Sequence, residues 1–217
     1  MAKREKADKI IEILKREYPE PKCGLVYDRE KPHELLIAAR LSAQCADKRV
    51  NAVTPALFAE FPDIKAFAAA ETGDIERIIK PCGLYKTKAA DIKNMCVVLA
   101  DNFGGTVPEE ISELTALPGV GRKTANLIRG ELYGKPAIVA DTHVMRLSDK
   151  LGLTANSSKD ALKTEKALLK AIPSAESTAF CHRLVLHGRS VCKARKPDCG
   201  NCALNGICES GKKQIAR

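Results

Sequence analysis

The chain has no tryptophan, and aromatic residues make up only 4% of its 217 positions. A core without large rings must be built from Leu, Ile, Val and Ala, which suits helices packed on helices. No stretch reaches the roughly 18 apolar residues that a membrane span needs, so a helical membrane protein is excluded and no membrane partner is expected. The first ten residues carry six charges where a secretory leader needs an apolar run, which points to a soluble, intracellular protein. Apolar–polar alternation never runs long enough for a sheet, and neither a fixed-period repeat nor a low-complexity segment is present. The 45% hydrophobic content of a chain this long can form a core without disulfide support.

Positive charge is in excess: 36 Lys and Arg against 27 Asp and Glu give a net charge of +9. Most of the surplus lies between Cys181 and Arg217, where eight basic residues face only Asp198 and Glu209. Clustered cations are what phosphate neutralisation requires, so a polyanionic partner is expected.

Nine cysteines in a reducing compartment call for an explanation other than disulfides. Cys23, Cys45, Cys82, Cys96 and Cys181 are scattered and are expected to be small buried hydrophobes. Cys192, Cys199, Cys202 and Cys208 are bunched with six, two and five residues between them. Four thiolates suit structural zinc or an iron–sulfur cluster, and only one Cys-x-x-Cys pair is present here.

Helical periodicity dominates. Ile10, Ile11 and Leu14 share one face before Pro19, and Pro32 opens an apolar helix through Leu35, Leu36, Ile37 and Leu41. Asp74 is placed as the cap of a short helix carrying Ile75, Ile78 and Ile79. Further helices are expected over Lys88 to Asn102, Glu109 to Leu117, Arg122 to Tyr133, His143 to Leu151, Lys159 to Ile172 and Ser177 to Leu186. The fold class is all-α.

Between two of these helices lies Leu117-Pro118-Gly119-Val120-Gly121-Arg122-Lys123-Thr124-Ala125. Gly119 and Gly121 let a ligand approach the backbone, and the free amides of the following helix form an anion site. Arg122 and Lys123 oppose the helix dipole, which calls for a compensating anion or a reason to want a less basic amine. An ordinary helix–helix turn is the plain alternative.

With Leu41-Ser42-Ala43-Gln44, Gly83-Leu84-Tyr85 with Lys88-Ala89, the hairpin, Val139-Ala140-Asp141-Thr142-His143, Leu186-His187-Gly188-Arg189 and the terminal cysteines, the chain resembles the helix-hairpin-helix DNA glycosylases, and among them the endonuclease III family. The resemblance implies two helical domains. One is a six-helix barrel over 25–135 with the hairpin at about 112–130; the other is a discontinuous domain of 1–24 and 136–217 with a cluster loop at 192–208. The active site would lie in the cleft between them. It further implies that Lys123 is the nucleophile and Asp141, eighteen residues on, its acidic partner. Gln44 and Leu84 would enter the duplex, and Gly119, Gly121, Arg122 and Thr124 would contact the backbone. Asp47, Tyr85, His143 and His187 are possible supporting groups. Cys192, Cys199, Cys202 and Cys208 would hold one 4Fe-4S cluster, fixing Lys193, Arg195 and Lys196 as a cationic array for DNA.

The chemistry is intelligible in its own terms. A protonated lysine is a poor nucleophile, and a helix N-terminus, Arg122 and burial in a cleft would each disfavour its ammonium form. Attack on the deoxyribose C1′ would expel the damaged base and leave a Schiff base that permits β-elimination. Asp141 could also simply cap the next helix. Three readings follow: a bifunctional glycosylase and abasic-site lyase for oxidised pyrimidines, the related adenine-specific branch, and a non-catalytic DNA-binding iron–sulfur protein. The second needs a carboxylate on the early helix, and Leu35 to Cys45 contains none. The expected partner is damaged double-stranded DNA, the expected state a monomer, and the expected location cytoplasmic, at the nucleoid in a prokaryote.

Overall fold

In a computed structural model, the described residues are 3–154 and 159–211, and all regular structure among them is helical. Lys212, Lys213 and Arg217 of the basic C-terminal run lie outside them. In chain order the helices are α1 (Lys3–Glu17), α2 (Pro32–Leu41), α3 (Asp47–Glu60), α4 (Ile64–Ala69), α5 (Thr72–Ile79), α6 (Tyr85–Asn102), α7 (Ile111–Ala116), α8 (Arg122–Tyr133), α9 (Thr142–Lys150), α10 (Ala161–Ala171) and α11 (Ser177–Ser190). The chain forms two compact units, one of Cys23–Tyr133 and one of Met1–Lys22 with Gly134–Arg217.

In the first unit α2 is the spine. Leu35, Leu36, Ile37, Ala38 and Leu41 are fully buried, so apolar side chains point to several sides of the helix, as they must in a central helix. Pro32 at its first turn costs nothing, because that amide has no intrahelical partner. Around α2 pack Val50 and Leu57 of α3, Phe67 of α4, Ile75 and Ile79 of α5, Ala89, Ile92, Met95, Cys96 and Leu99 of α6, and Leu114, Leu117, Val120, Ala125 and Ile128 of the hairpin.

Three expectations need correction here. Helix α3 was not foreseen, because Pro55 and a polar sequence mask its buried Val50, Val53, Thr54 and Leu57. The short α4, capped by Asp63 through Ala66 N–H at 2.8 Å, was missed too. Asp74 is no cap: its own amide already donates to Glu71 O at 3.0 Å, which places it inside α5 after the Glu71 cap.

The second unit packs Ala7, Ile10, Ile11 and Leu14 of α1 with Val144 and Leu147 of α9, Leu168 of α10, and Phe180, Cys181 and Leu184 of α11. Leu204, from the irregular segment after α11, inserts into the same core. Arg183, almost wholly buried, ties α1 to α11 by donating to Tyr18 O at 3.1 Å and Glu176 Oε2 at 3.2 Å.

Candidate active site and cysteine loop

Helix α7 ends at Ala116, and Leu117 and Val120 bury their side chains to hold the turn that follows. Gly119 sits at φ +72° with no room for a side chain: a Cβ there would lie 2.6 Å from Arg40 Nε and 2.8 Å from Asp91 Cβ. Those two neighbours are themselves paired, Arg40 Nε and Nη2 donating to Asp91 Oδ2 at 2.8 and 2.6 Å. The turn thus rests on a half-buried ion pair between α2 and α6, which was not apparent from the sequence. The first intrahelical bond of α8 runs from Ala125 N–H to Gly121 O at 2.9 Å. The amides of Arg122, Lys123 and Thr124 therefore have no intrahelical acceptor, and glycine offers no side-chain cap.

Lys123, second residue of α8, is exposed, against the burial expected of it. The reason is register: Ala125, Asn126 and Ile128 take the core-facing side of the helix, and Lys123 lies on the opposite side. No acidic side chain stands in the first turn of α8.

Gln44 and Leu84 share an unexpected feature. They lie at φ +55° and +49°, and are the only non-glycine residues with positive φ among the described residues. The left-handed region costs a residue with a Cβ about 1–2 kcal/mol, and such strain gathers where a side chain must be aimed. Both side chains are exposed; Leu84, an apolar residue, is 58% accessible. Asp47 opens α3 with its carboxylate against Gly24, where a Cβ would come within 2.6 Å of Oδ2, and the half-buried Tyr85 opens α6.

Of the scattered cysteines, Cys82, Cys96 and Cys181 are buried as expected, and burial raises Cys96 and Cys181 to about 12. Cys23 and Cys45 are only half-buried, contrary to expectation, because both sit on loops flanking helices rather than on helix faces.

Asp141 caps α9, its Oδ1 accepting from Val144 N–H at 2.8 Å. The cap fixes the direction of the carboxylate and leaves it half-buried. His143, second residue of α9, is seated by Gly188 of α11, where a Cβ would lie 2.5 Å from Nδ1. The Leu-His-Gly-Arg motif needs its glycine for this close approach. His187 of the same motif is buried, and burial holds it below the ordinary histidine range. Its Nδ1 lies 3.1 Å from Tyr18 Oη and its Nε2 lies 3.4 Å from Cys202 Sγ, so a neutral ring donating from Nε2 and accepting at Nδ1 satisfies both.

The four terminal cysteines line one pocket together with Leu147, Leu151, Val191 and Leu204. Hydrogen bonds aim at their sulfurs: Gly211 N–H to Cys208 at 3.4 Å, Arg146 Nη1 to Cys192 at 3.6 Å, and His187 to Cys202. The loop is closed by Cys192 N–H to His187 O at 2.8 Å and Asp198 N–H to Val191 O at 3.0 Å. Lys193, Arg195 and Lys196 all stand exposed on it.

Residues 37–174 match the model of the HhH-GPD superfamily of base excision DNA repair proteins, and residues 192–208 match that of the iron–sulfur binding domain of endonuclease III. The chain belongs to the HhH-GPD superfamily of base excision DNA repair proteins. Among proteins of this family it is 43% identical to endonuclease III of Synechocystis sp. over 212 residues, 97% of this chain and 95% of the other. The structure of a non-covalent endonuclease III–DNA complex is 39% identical, with full coverage of both chains and a TM-score of 0.91. A trapped endonuclease III–DNA covalent intermediate in an estranged-adenine complex is 40% identical, with a TM-score of 0.90 and coverage of 99% of this chain and 100% of that one.

Proposed function

We propose that this base excision repair protein is a bifunctional DNA glycosylase and abasic-site lyase for oxidised pyrimidines in duplex DNA. The observation that carries the reading is the left-handed backbone at both Gln44 and Leu84, which presents one polar and one apolar side chain to solvent at a conformational cost. Taking a nucleotide out of the stack costs a few kcal/mol, and side chains that fill the vacated space offset it. The first-turn amides of α8, with Arg122 and Thr124 beside them, suit a phosphate of the same strand.

In this reading Lys123 Nζ uses its free electron pair to bond to C1′ of the extrahelical sugar. The C1′–base bond breaks and its electron pair leaves with the base, which takes up a proton. The C1′–O4′ bond then breaks, with O4′ taking up the proton the nitrogen gives up, and leaves a ring-opened imine between Lys123 and C1′; loss of a C2′ proton then expels the 3′ phosphate and nicks the strand. Asp141, held by its cap bond, stabilises the cationic sugar and assists proton transfer. Because Lys123 is exposed, the exclusion of water around its amine falls to the docked DNA. Endonuclease III in a trapped covalent complex with DNA supports the covalent step by likeness.

Cys192, Cys199, Cys202 and Cys208 are the residues that would hold a 4Fe-4S cluster, which supplies four metal–thiolate bonds to an otherwise loop-built segment. The fit rests on the donor set: four sulfurs around one pocket, with N–H groups directed at three of them. The cysteines leave no ligand position for substrate, so base removal is not routed through them.

The test is borohydride trapping on a duplex carrying thymine glycol. Wild type should form a covalent protein–DNA adduct, and Lys123→Ala should form none. An adduct that persists in Lys123→Ala, or nicking without any wild-type adduct, sinks the imine mechanism.

A further inference from the structure

Lys88 is the one lysine the fold buries completely, at 0% exposure among the described residues, although it lies only in the first turn of α6. Its ammonium donates to two backbone carbonyls, Leu41 O at 2.8 Å and Cys82 O at 2.9 Å. Both acceptors sit at the foot of a left-handed residue: Leu41 ends α2 three positions before Gln44, and Cys82 ends a 3-10 turn two positions before Leu84. Leu41 O is among the last carbonyls of α2, which lack an intrahelical donor and carry the negative end of the helix dipole.

Burying an ammonium is costly unless it is fully hydrogen-bonded, and here its acceptors are neutral carbonyls. A carbon side chain could fill the same volume. What only a multi-donor head on a long stem can do is bridge two carbonyls that belong to two different loops. The groups around it are the Cys45 and Cys82 thiols and the Arg40 guanidinium, so the same spot gathers the ends of both loops.

We propose that Lys88 is a positioning residue that locks the Gln44 and Leu84 loops to one another, so that the two side chains enter the duplex as a fixed pair. This rests on the insertion reading given above. Lys88 touches no reacting atom; it acts through the two backbones it joins. Loss of its head group leaves both loops folded onto the core through Leu41 and Cys82, but frees each to move against the other. Insertion then has to be ordered at each encounter, which slows base excision while leaving phosphate contacts at the hairpin intact.

The experiment compares wild type with Lys88→Met, which keeps the stem, and Lys88→Gln, which keeps an N–H donor. Three quantities are measured on the iron-loaded full chain: thermal melting, affinity for an undamaged duplex, and the single-turnover rate of thymine glycol excision. A residue that merely stabilises the fold would lower all three together. Positioning predicts a cooperative melt and affinity within about twofold of wild type, set by unchanged phosphate contacts. It predicts excision slowed by about 30-fold in Lys88→Met, the scale on which small misplacements cost rate, with Lys88→Gln between. Excision at the wild-type rate, a parallel loss of affinity and excision, or failure of both variants to fold overturns the proposal. Gln44→Ala and Leu84→Ala run alongside: if they too excise normally, the insertion reading has failed; if they are slow while Lys88→Met is not, only the role of Lys88 has.

Discussion

The hairpin turn at 117–121 and the cysteine loop at 192–208 both offer cations beside exposed backbone, yet they are held in opposite ways. The hairpin is gripped from beneath by the protein itself: Leu117 and Val120 are buried, and Gly119 lies on the Arg40–Asp91 pair. The cysteine loop has little regular structure and one buried anchor, Leu204, so its shape depends on what its four sulfurs bind. A surface built on a helical core inherits the stability of that core, whereas a surface strung between ligands has only the stability its ligand brings.

This contrast can be broken most severely by removing iron. Chelation under reducing conditions should abolish visible absorption near roughly 400 nm, which thiolate-bound iron–sulfur centres commonly show, and open the 192–208 loop to protease. The helical signal of Cys23–Tyr133 should survive; its collapse in parallel would erase the distinction. Next in size is Leu36→Ala, which empties a fully buried site on the α2 spine and should cost about 3–4 kcal/mol in urea unfolding. Cluster absorption of the folded fraction should stay unchanged.

Gly119→Ala should cost roughly 1–3 kcal/mol, since it combines a positive φ with a clash against the ion pair. Duplex affinity should fall with it, and a variant that melts like wild type would show that the turn tolerates side chains. Asp141→Ala should lose about 1 kcal/mol with its cap. Asp141→Ser should recover the cap but not excision, so recovery of both would remove the carboxylate from the chemistry. The smallest effect belongs to single cations of the cysteine loop. Lys193→Ala or Arg195→Ala should each flatten the salt dependence of duplex binding by about one phosphate contact, and an unchanged slope would detach the loop from DNA.

The helical character and the cysteine set were plain in the sequence because both are local. Apolar spacing marked α1, α2 and α8, and Gly119 announced a turn by its residue type alone. Helix α3 escaped notice because Pro55 reads as a breaker, though its missing amide is tolerated within Asp47–Glu60. What stayed hidden was long-range. Arg40 lies far from Gly119 in the chain, and nothing in either residue's neighbourhood announces their contact. Lys88 looked like the polar start of a helix, since burial of its ammonium depends on carbonyls from two distant segments. The left-handed backbone at Gln44 and Leu84 has no compositional mark, because residues with a Cβ carry no signal for it.

The seat of the hairpin also bears on protein engineering. A stretch such as 112–130 is tempting to transplant as a self-contained cassette, but its central glycine takes its shape from a guanidinium and a carboxylate lying far outside that stretch. Moved alone, it would arrive without its foundation; Arg40 and Asp91 would have to travel with it, and with them parts of two further helices.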